Sequence, residues 1–374
     1  MLFSFQARAF GPWPTRLFTA RPDPFPNQVG SSQDIKNYNC LVHNATGAAS
    51  LISSVSYDLS EKLQAEGGTE KRLERSGVQQ NEKTDGAGMT SQLSYLSIDR
   101  RDDLSREEFI DQYLKPKRPV IMRSFAANWP ALEKWSYDYL KQGCGDVEVP
   151  LYSEAFANSD NDYLDSTQSM PFGEYLDLIQ AWPTPLRMFL FNVFKHMPQL
   201  REDFSYPDLG VTFLKNHPFL FVGGQDAYVD IHYDLDHSHV FLTQMTGTKR
   251  VILYGSENGR HLYQHPLTVS CNIDFRNPDL ERYPKLKDIH GYECILEPGD
   301  TIFIPSRWWH FIEYSTAGIS LTLRALPETW PARAAGLASI FKLKVIDQYL
   351  GKMIGEKKWY QMKEDWAHAR ARKA

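Results

Sequence analysis

Between Pro218 and Arg324 strong turn signals cut the chain into short apolar segments, and this spacing limits its possible folds more than anything else. Phe219-Leu220-Phe221-Val222 stops at Gly223-Gly224, Tyr228 to Asp234 follows, and Val240 to Met245 runs through Thr246-Gly247 into Lys249 to Tyr254. Glu293 to Leu296 and Thr301 to Ile304 flank Glu297-Pro298-Gly299-Asp300; Phe311 to Tyr314 and Ile319 to Arg324 flank Ala317-Gly318. Strand-forming runs on either side of a short glycine-containing connection read as hairpins. Many short strands with regular turns imply a closed or sandwiched β architecture in place of a parallel α/β sheet.

Helices flank this β region. Ser105 with Glu108 three residues on is a capping box that opens a helix, with Phe109, Ile110, Tyr113 and Leu114 on its buried face. Pro116 ends that helix by Lys115. Val120 to Met122 reads as a short buried strand and Leu132 to Gln142 as a second helix, and Phe172 to Phe204 is mostly helical with breaks at Pro183, Pro185 and Pro198. Beyond Pro331, Leu337, Ile340, Phe341, Lys344 and Val345 recur at helical spacing, and Gly351 and Gly355 interrupt before a last segment from Glu356 to Arg372. This tail has two readings, a helix packed on its own β core and a homodimer-forming surface.

The division expected is an N-terminal extension over 1–90, a catalytic domain over 91–326 and a helical segment over 327–374. The extension is rich in Ser, Gly, Gln and Asn without a sustained apolar period, which predicts disorder. Met1 to Pro22 carries Arg8, Arg16 and Arg21 and no acidic residue, as an organellar transit peptide would; the alternative is an upstream extension with Met89 as the working initiator and a cytoplasmic protein. A net charge of −5 argues against a general nucleic-acid binder, which needs a basic surface. No apolar run is long enough to cross a bilayer. Cys40, Cys144, Cys271 and Cys294 form no CxxC pair, so a structural zinc module is not expected and a reducing compartment is the simplest reading.

The chemistry sits at His232-Tyr233-Asp234 and at Trp308-Trp309-His310. Residues i and i+2 of a strand share a face, so His232 and Asp234 can grip one ion together, and His310, after a second strand, supplies a third ligand. Two histidines and one carboxylate with open positions make the facial triad of non-haem iron(II) oxygenases. The same periodicity puts His237 and His239 on the opposite face and leaves Asp236 a turn or surface residue.

These motifs, with Gln244 to Arg250, Gly299-Asp300-Thr301-Ile302-Phe303-Ile304-Pro305, Asn277 to Pro284 and Gly291-Tyr292-Glu293, resemble the JmjC (cupin-like) family of Fe(II)- and 2-oxoglutarate-dependent oxygenases. Within it the chain looks most similar to the protein-hydroxylase branch typified by the asparaginyl hydroxylase that inhibits hypoxia-inducible factor. The likeness runs from about Ile98 to the C-terminal helices. It implies a mainly β fold with helical flanks: a double-stranded β-helix (jelly-roll or cupin) core with the metal in its mouth, and C-terminal helices. It further implies Fe(II) and 2-oxoglutarate as cofactors, O2 as co-reactant, and Lys249 as partner of the distal carboxylate of 2-oxoglutarate.

The chain departs from that branch in places. It is two residues longer between Asp234 and Lys249, so a bulge must absorb Asp236 to Ser238. Val229 stands where the branch has a cosubstrate-binding threonine, and Phe189 where it has a tyrosine. His239 falls near an asparagine beside the cosubstrate, and Arg324 near another polar cosubstrate position. The expected function is hydroxylation of a protein side chain or a small molecule, with no membrane partner. The alternative is a non-catalytic cupin-like binding or scaffold protein.

Overall fold

The computed structural model describes residues 93–153, 168–189 and 191–374; the N-terminal extension and its two readings lie outside the described residues. Eight strands form the core: β1 (Phe219–Gly223), β2 (Tyr228–His232), β3 (His239–Thr246), β4 (Lys249–Tyr254), β5 (Gly291–Leu296), β6 (Thr301–Ile304), β7 (Trp309–Tyr314) and β8 (Gly318–Leu326). They pair antiparallel as β5-β4-β7-β2 in one sheet and β6-β3-β8-β1 in the other. This is the jelly-roll core expected, with helical flanks. The connections differ from expectation. β3 and β4, β5 and β6, and β7 and β8 lie in opposite sheets, so the glycine-containing turns are corners from one sheet to the other and not ladder hairpins. At Gly247 (φ +69°) the corner is tight enough that a Cβ would strike the Ala317 carbonyl.

Alternation along each strand sorts side chains between the sheets and outside them. Val240, Leu242, Val251, Leu253, Leu296, Ile302, Ile304 and Ile312 meet between the sheets. Phe241, Phe303, Leu321, Leu323 and Ala325 point outward from the second sheet into a core built with the N-terminal helices. Ile231, Ile252, Tyr254, Trp309 and Phe311 point outward from the first sheet, under the 255–290 connection and the last helix. Because both faces of β3 are buried, it reads as a nearly unbroken apolar run.

The capping box at Ser105 and Glu108 is formed, opening a helix over Arg106–Phe109 that continues as a wider π turn over Ile110–Leu114. Val120–Met122 is a fully buried strand that adds to β6. The single helix expected over Leu132 to Gln142 is two, Ala131–Lys134 and Tyr137–Cys144, because Ser136 accepts from Tyr139 N and starts a new helix. Beyond the helix Phe172–Ala181 the Pro-broken stretch gives a two-residue strand, Arg187–Met188, and two 3₁₀ turns, fewer helical residues than its apolar pattern suggested. The C-terminal region runs Trp330–Phe341, a π segment Lys342–Asp347, Gln348–Ile354 and, after Gly355 at φ +94°, Glu356–Ala371. Gly351 does not break the helix; it is buried within it.

Candidate metal centre

β2 and β7 are neighbours, and His232 is the register partner of His310. The ladder slips between His310 and Ile312, so β2 carries an extra residue beside the ligand, a bulge of the kind that re-aims side chains near sites. The two imidazole centroids are 4.2 Å apart. β2 ends at His232, so Asp234 lies just beyond the strand, in a turn closed by His237 N donating to Asp234 O at 3.0 Å. Period two still holds there. Tyr233 packs edge-on against Trp309 in the outer core, leaving His232 and Asp234 to the other side. One ligating atom from each of His232, Asp234 and His310 can be chosen so that all lie within 4.8 Å of one another.

The protonation states suit a metal. His232 Nδ1 lies 2.7 Å from the Asp230 carbonyl and His310 Nδ1 lies 3.1 Å from the Trp308 carbonyl. A carbonyl only accepts, so both rings carry the proton on Nδ1 and present the Nε2 lone pair. Burial, then the neighbouring His310, pulls the His232 pKa down to about 3, and burial pulls that of His310 to about 4. Both imidazoles are therefore neutral at physiological pH and need lose no proton to ligate. Burial raises the Asp234 pKa, and the Arg324 guanidinium opposes that rise.

Lys249 projects inward from β4, in line with Val251 and Leu253. It is 1% exposed, with Nζ 4.1 Å from the centroid of the Tyr314 ring. Burial lowers its pKa to about 7, and among the described residues no carboxylate lies within ion-pair distance. Leu253 pairs with His310 and Lys249 with Tyr314, so the lysine sits four residues, roughly 13 Å of strand, from the level of the histidines. On the inward face of β8, Thr322 Oγ1 is buried and has no hydrogen-bond partner among the described residues, while Ser320 donates to Gln244 at 2.7 Å. The interior between the triad and Lys249 thus holds a cation and a hydroxyl that a polar ligand would satisfy.

Arg324 also projects inward, but onto carboxylates. Its guanidinium contacts Asp234 Oδ1 and lies 3.3 Å from Asp236 Oδ2. Asp236, expected to be a turn or surface residue, lies in that turn, with its side chain half-buried against the site. His239 faces the other way. Its ring stacks on outward-facing Phe303, Nδ1 accepts from Ser306 N at 3.0 Å, and Nε2 lies 2.9 Å from Glu328. The expectation that it adjoins the cosubstrate does not fit that placement, which alternation with inward Val240 dictates. Val229 and Phe189 are at the interior: Val229 pairs with Ile312, and Phe189 packs on Phe221 and Arg187. Two neighbours escaped the sequence reading. Tyr314 could have been found from its even spacing with His310 on one strand. Arg187, buried beneath Tyr152 and Phe189 with Nε donating to Tyr228 O, sits in a Pro-broken stretch without period and gave no signal.

The cupin-like domain model matches residues 105–326, more than half of the chain. This chain belongs to the cupin-like domain family. Lysine-specific demethylase JMJ30 of Arabidopsis thaliana is 28% identical over 253 residues, covering 62% of this chain and 55% of the relative. Jumonji C domain-containing protein 5 of Drosophila melanogaster is 28% identical over 250 residues (63% and 61%), so the JmjC kinship read from the motifs holds. tRNA wybutosine-synthesizing protein 5 of Homo sapiens is 26% identical over 260 residues (62% and 79%). The chain thus spans little more than half the length of the demethylase it matches. Among the described residues no helix is long and apolar enough to cross a membrane.

Proposed function

We propose that the chain is an Fe(II)- and 2-oxoglutarate-dependent dioxygenase that hydroxylates a protein side chain. The observation that carries this reading is the pairing of two Nδ1–H histidines and Asp234 with a buried lysine that has no carboxylate partner among the described residues. His232, Asp234 and His310 would hold the iron, and Lys249 would hold the far carboxylate of 2-oxoglutarate, with the Thr322 hydroxyl beside it. Iron and 2-oxoglutarate supply the oxidising chemistry when bound. The chain supplies neutral imidazoles, a fixed ammonium, and walls from Val229, Ile312 and Phe221 that exclude water. Only the motif resemblance to the asparaginyl-hydroxylase branch, read from the sequence, favours a protein side chain as substrate. The names of the relatives add lysine demethylation and tRNA modification as rivals, and a small molecule is a further one.

The guanidinium on Asp234 favours one other reading, a binding or scaffold protein whose carboxylate serves a salt bridge. A carboxylate has two oxygens, so Arg324 and a metal can share it. Succinate release from 2-oxoglutarate by the purified protein with Fe(II) and ascorbate, beside Asp234→Ala, separates the two. Turnover lost in the variant supports the oxygenase; equal silence in both, with no binding of 2-oxoglutarate, sinks it.

A second copy of this chain is the partner proposed for the C-terminal helices. Leu337, Phe341, Val345, Tyr349 and Met353 are exposed at a strict four-residue spacing. A straight α-helix would rotate such a row steadily around its axis, and the wider π segment Lys342–Asp347 turns it back. With Trp330, 70% exposed, the row offers roughly 600 Å² of apolar surface, near the 800 Å² that each partner of a stable interface buries.

A further inference from the structure

The helix Trp330–Phe341 begins beyond the residues matched by the cupin-like model, yet its inner face rests on the turn that carries a triad member. Gly336 is buried there, and a Cβ on it would collide with the Asp236 carbonyl. One turn further, Ser339 Oγ lies 2.9 Å from His237 Nε2. His237 is 4% exposed and has φ +55°, a left-handed backbone that a non-glycine residue keeps only where its surroundings hold it. Its N–H closes the turn on Asp234 O at 3.0 Å, and its carbonyl accepts from Ser306 Oγ at 2.6 Å. Ser306 belongs to the connection leading into His310. The segment bearing Asp234 and the segment bearing His310 are therefore tied to each other through Ser306 and held from outside by the helix through Gly336 and Ser339.

We propose that Gly336 and Ser339 are positioning residues for the triad: they fix the Asp234–Ser238 turn, and so set how well the site holds a divalent metal. This rests on the metal reading above and deepens it by extending the site to a helix outside the matched domain. Neither residue touches the triad. Their effect runs through the His237 ring and the Asp236 backbone; removing a group bonded directly to a ligand lowers metal affinity by about 10–100-fold, and supports one contact further out belong at the low end of that range.

The test is titration of the purified apo-protein with Co(II), reading affinity and the visible absorption bands of the bound ion. The proteins are wild type, Ser339→Ala, Ser339→Thr, Gly336→Ala, and Ala335→Ser, an exposed position of the same helix outside the apolar row. Expected is a roughly tenfold weaker Kd and altered bands in Ser339→Ala and Gly336→Ala, rescue in Ser339→Thr, and wild-type behaviour in Ala335→Ser. Ser339→Ala and Gly336→Ala with Kd within twofold of wild type and unchanged bands would overturn the proposal. So would an equal loss in Ala335→Ser, which would mark general weakening of the helix. Wild type that binds no Co(II) would refute the metal reading itself, a result distinct from both.

Discussion

Replacing Lys249 by Met should make the ligand-free protein more stable while removing its affinity for 2-oxoglutarate. Among the described residues the lysine has no carboxylate partner, and burial lowers its pKa from 10.5 to about 7, so the folded protein holds it as a buried ammonium only below that pH. A basic group whose pKa falls on folding opposes folding wherever the unfolded chain is protonated. The penalty is complete below pH 7 and disappears as pH rises through 10.5. The interval of 3.5 pH units corresponds to about 5 kcal/mol below pH 7, and to about 3 kcal/mol at pH 8. Met preserves the aliphatic stem and places a thioether against the Tyr314 ring, so little packing is lost. At pH 8 the variant should melt roughly 4–8 °C above wild type, with the gap closing toward pH 10. Added 2-oxoglutarate should raise the melting temperature of wild type alone, since only wild type has the cation to receive it. Differential scanning calorimetry at pH 7, 8 and 10, with and without 2-oxoglutarate, makes the measurement. A variant that melts at or below wild type at pH 8, or that still gains stability from 2-oxoglutarate, would refute the reasoning.

Three further outcomes are expected. Glu364 fastens the last helix through His265 at 2.6 Å, Arg282 at 2.8 Å and Tyr283 at 3.1 Å; burial raises its pKa, but His265 and then Arg282 outweigh burial and bring it to about 2. Its contribution, about 3 kcal/mol, is present above pH 4.5 and lost as pH falls toward 2, so Glu364→Gln should flatten that limb of an acid-denaturation curve. Phe241, fully buried with ring contacts at 5.1 Å to both Phe213 and Phe303 and 5.3 Å to Phe125, should cost about 3–5 kcal/mol as Phe241→Ala in urea unfolding. The pair Leu337→Glu and Tyr349→Glu should convert the proposed dimer to a monomer by light scattering, and a wild type already monomeric at micromolar concentration would dispose of the dimer.

The sequence carried the strand pattern well because alternation and turn residues are local. Ser105 and Glu108 announced their helix, and His232 with Asp234 kept their common side even where the ladder had ended. What local pattern could not show was which sheet each strand joins. A turn such as Thr246-Gly247 looks the same whether its strands pair or part, and only the wound topology makes it a corner. Nor could it show that Arg324, which resemblance places near a cosubstrate position, meets Asp234 and Asp236, about ninety residues away in sequence. For His239 the local signal was present. Placing it beside the cosubstrate relied on likeness to another chain, whereas its own alternation with Val240 had already put it on the outer face.

β8 shows why site and core stand or fall together. Its inward residues Ser320, Thr322 and Arg324 face the site, and its outward residues Leu321, Leu323 and Ala325 are fully buried in the core against the N-terminal helices. A slip of one residue against β3 exchanges the two sets at once. It would press a guanidinium and two hydroxyls into an aromatic core around Phe241 and Phe303, and turn leucines toward Asp234 and Lys249. Such a register is disfavoured from both sides, by the desolvation of the polar set and by the exposure of the apolar one. Arg324 can therefore hold Asp234 without any dedicated loop, because the strand that bears it is fixed by the apolar residues on its other face.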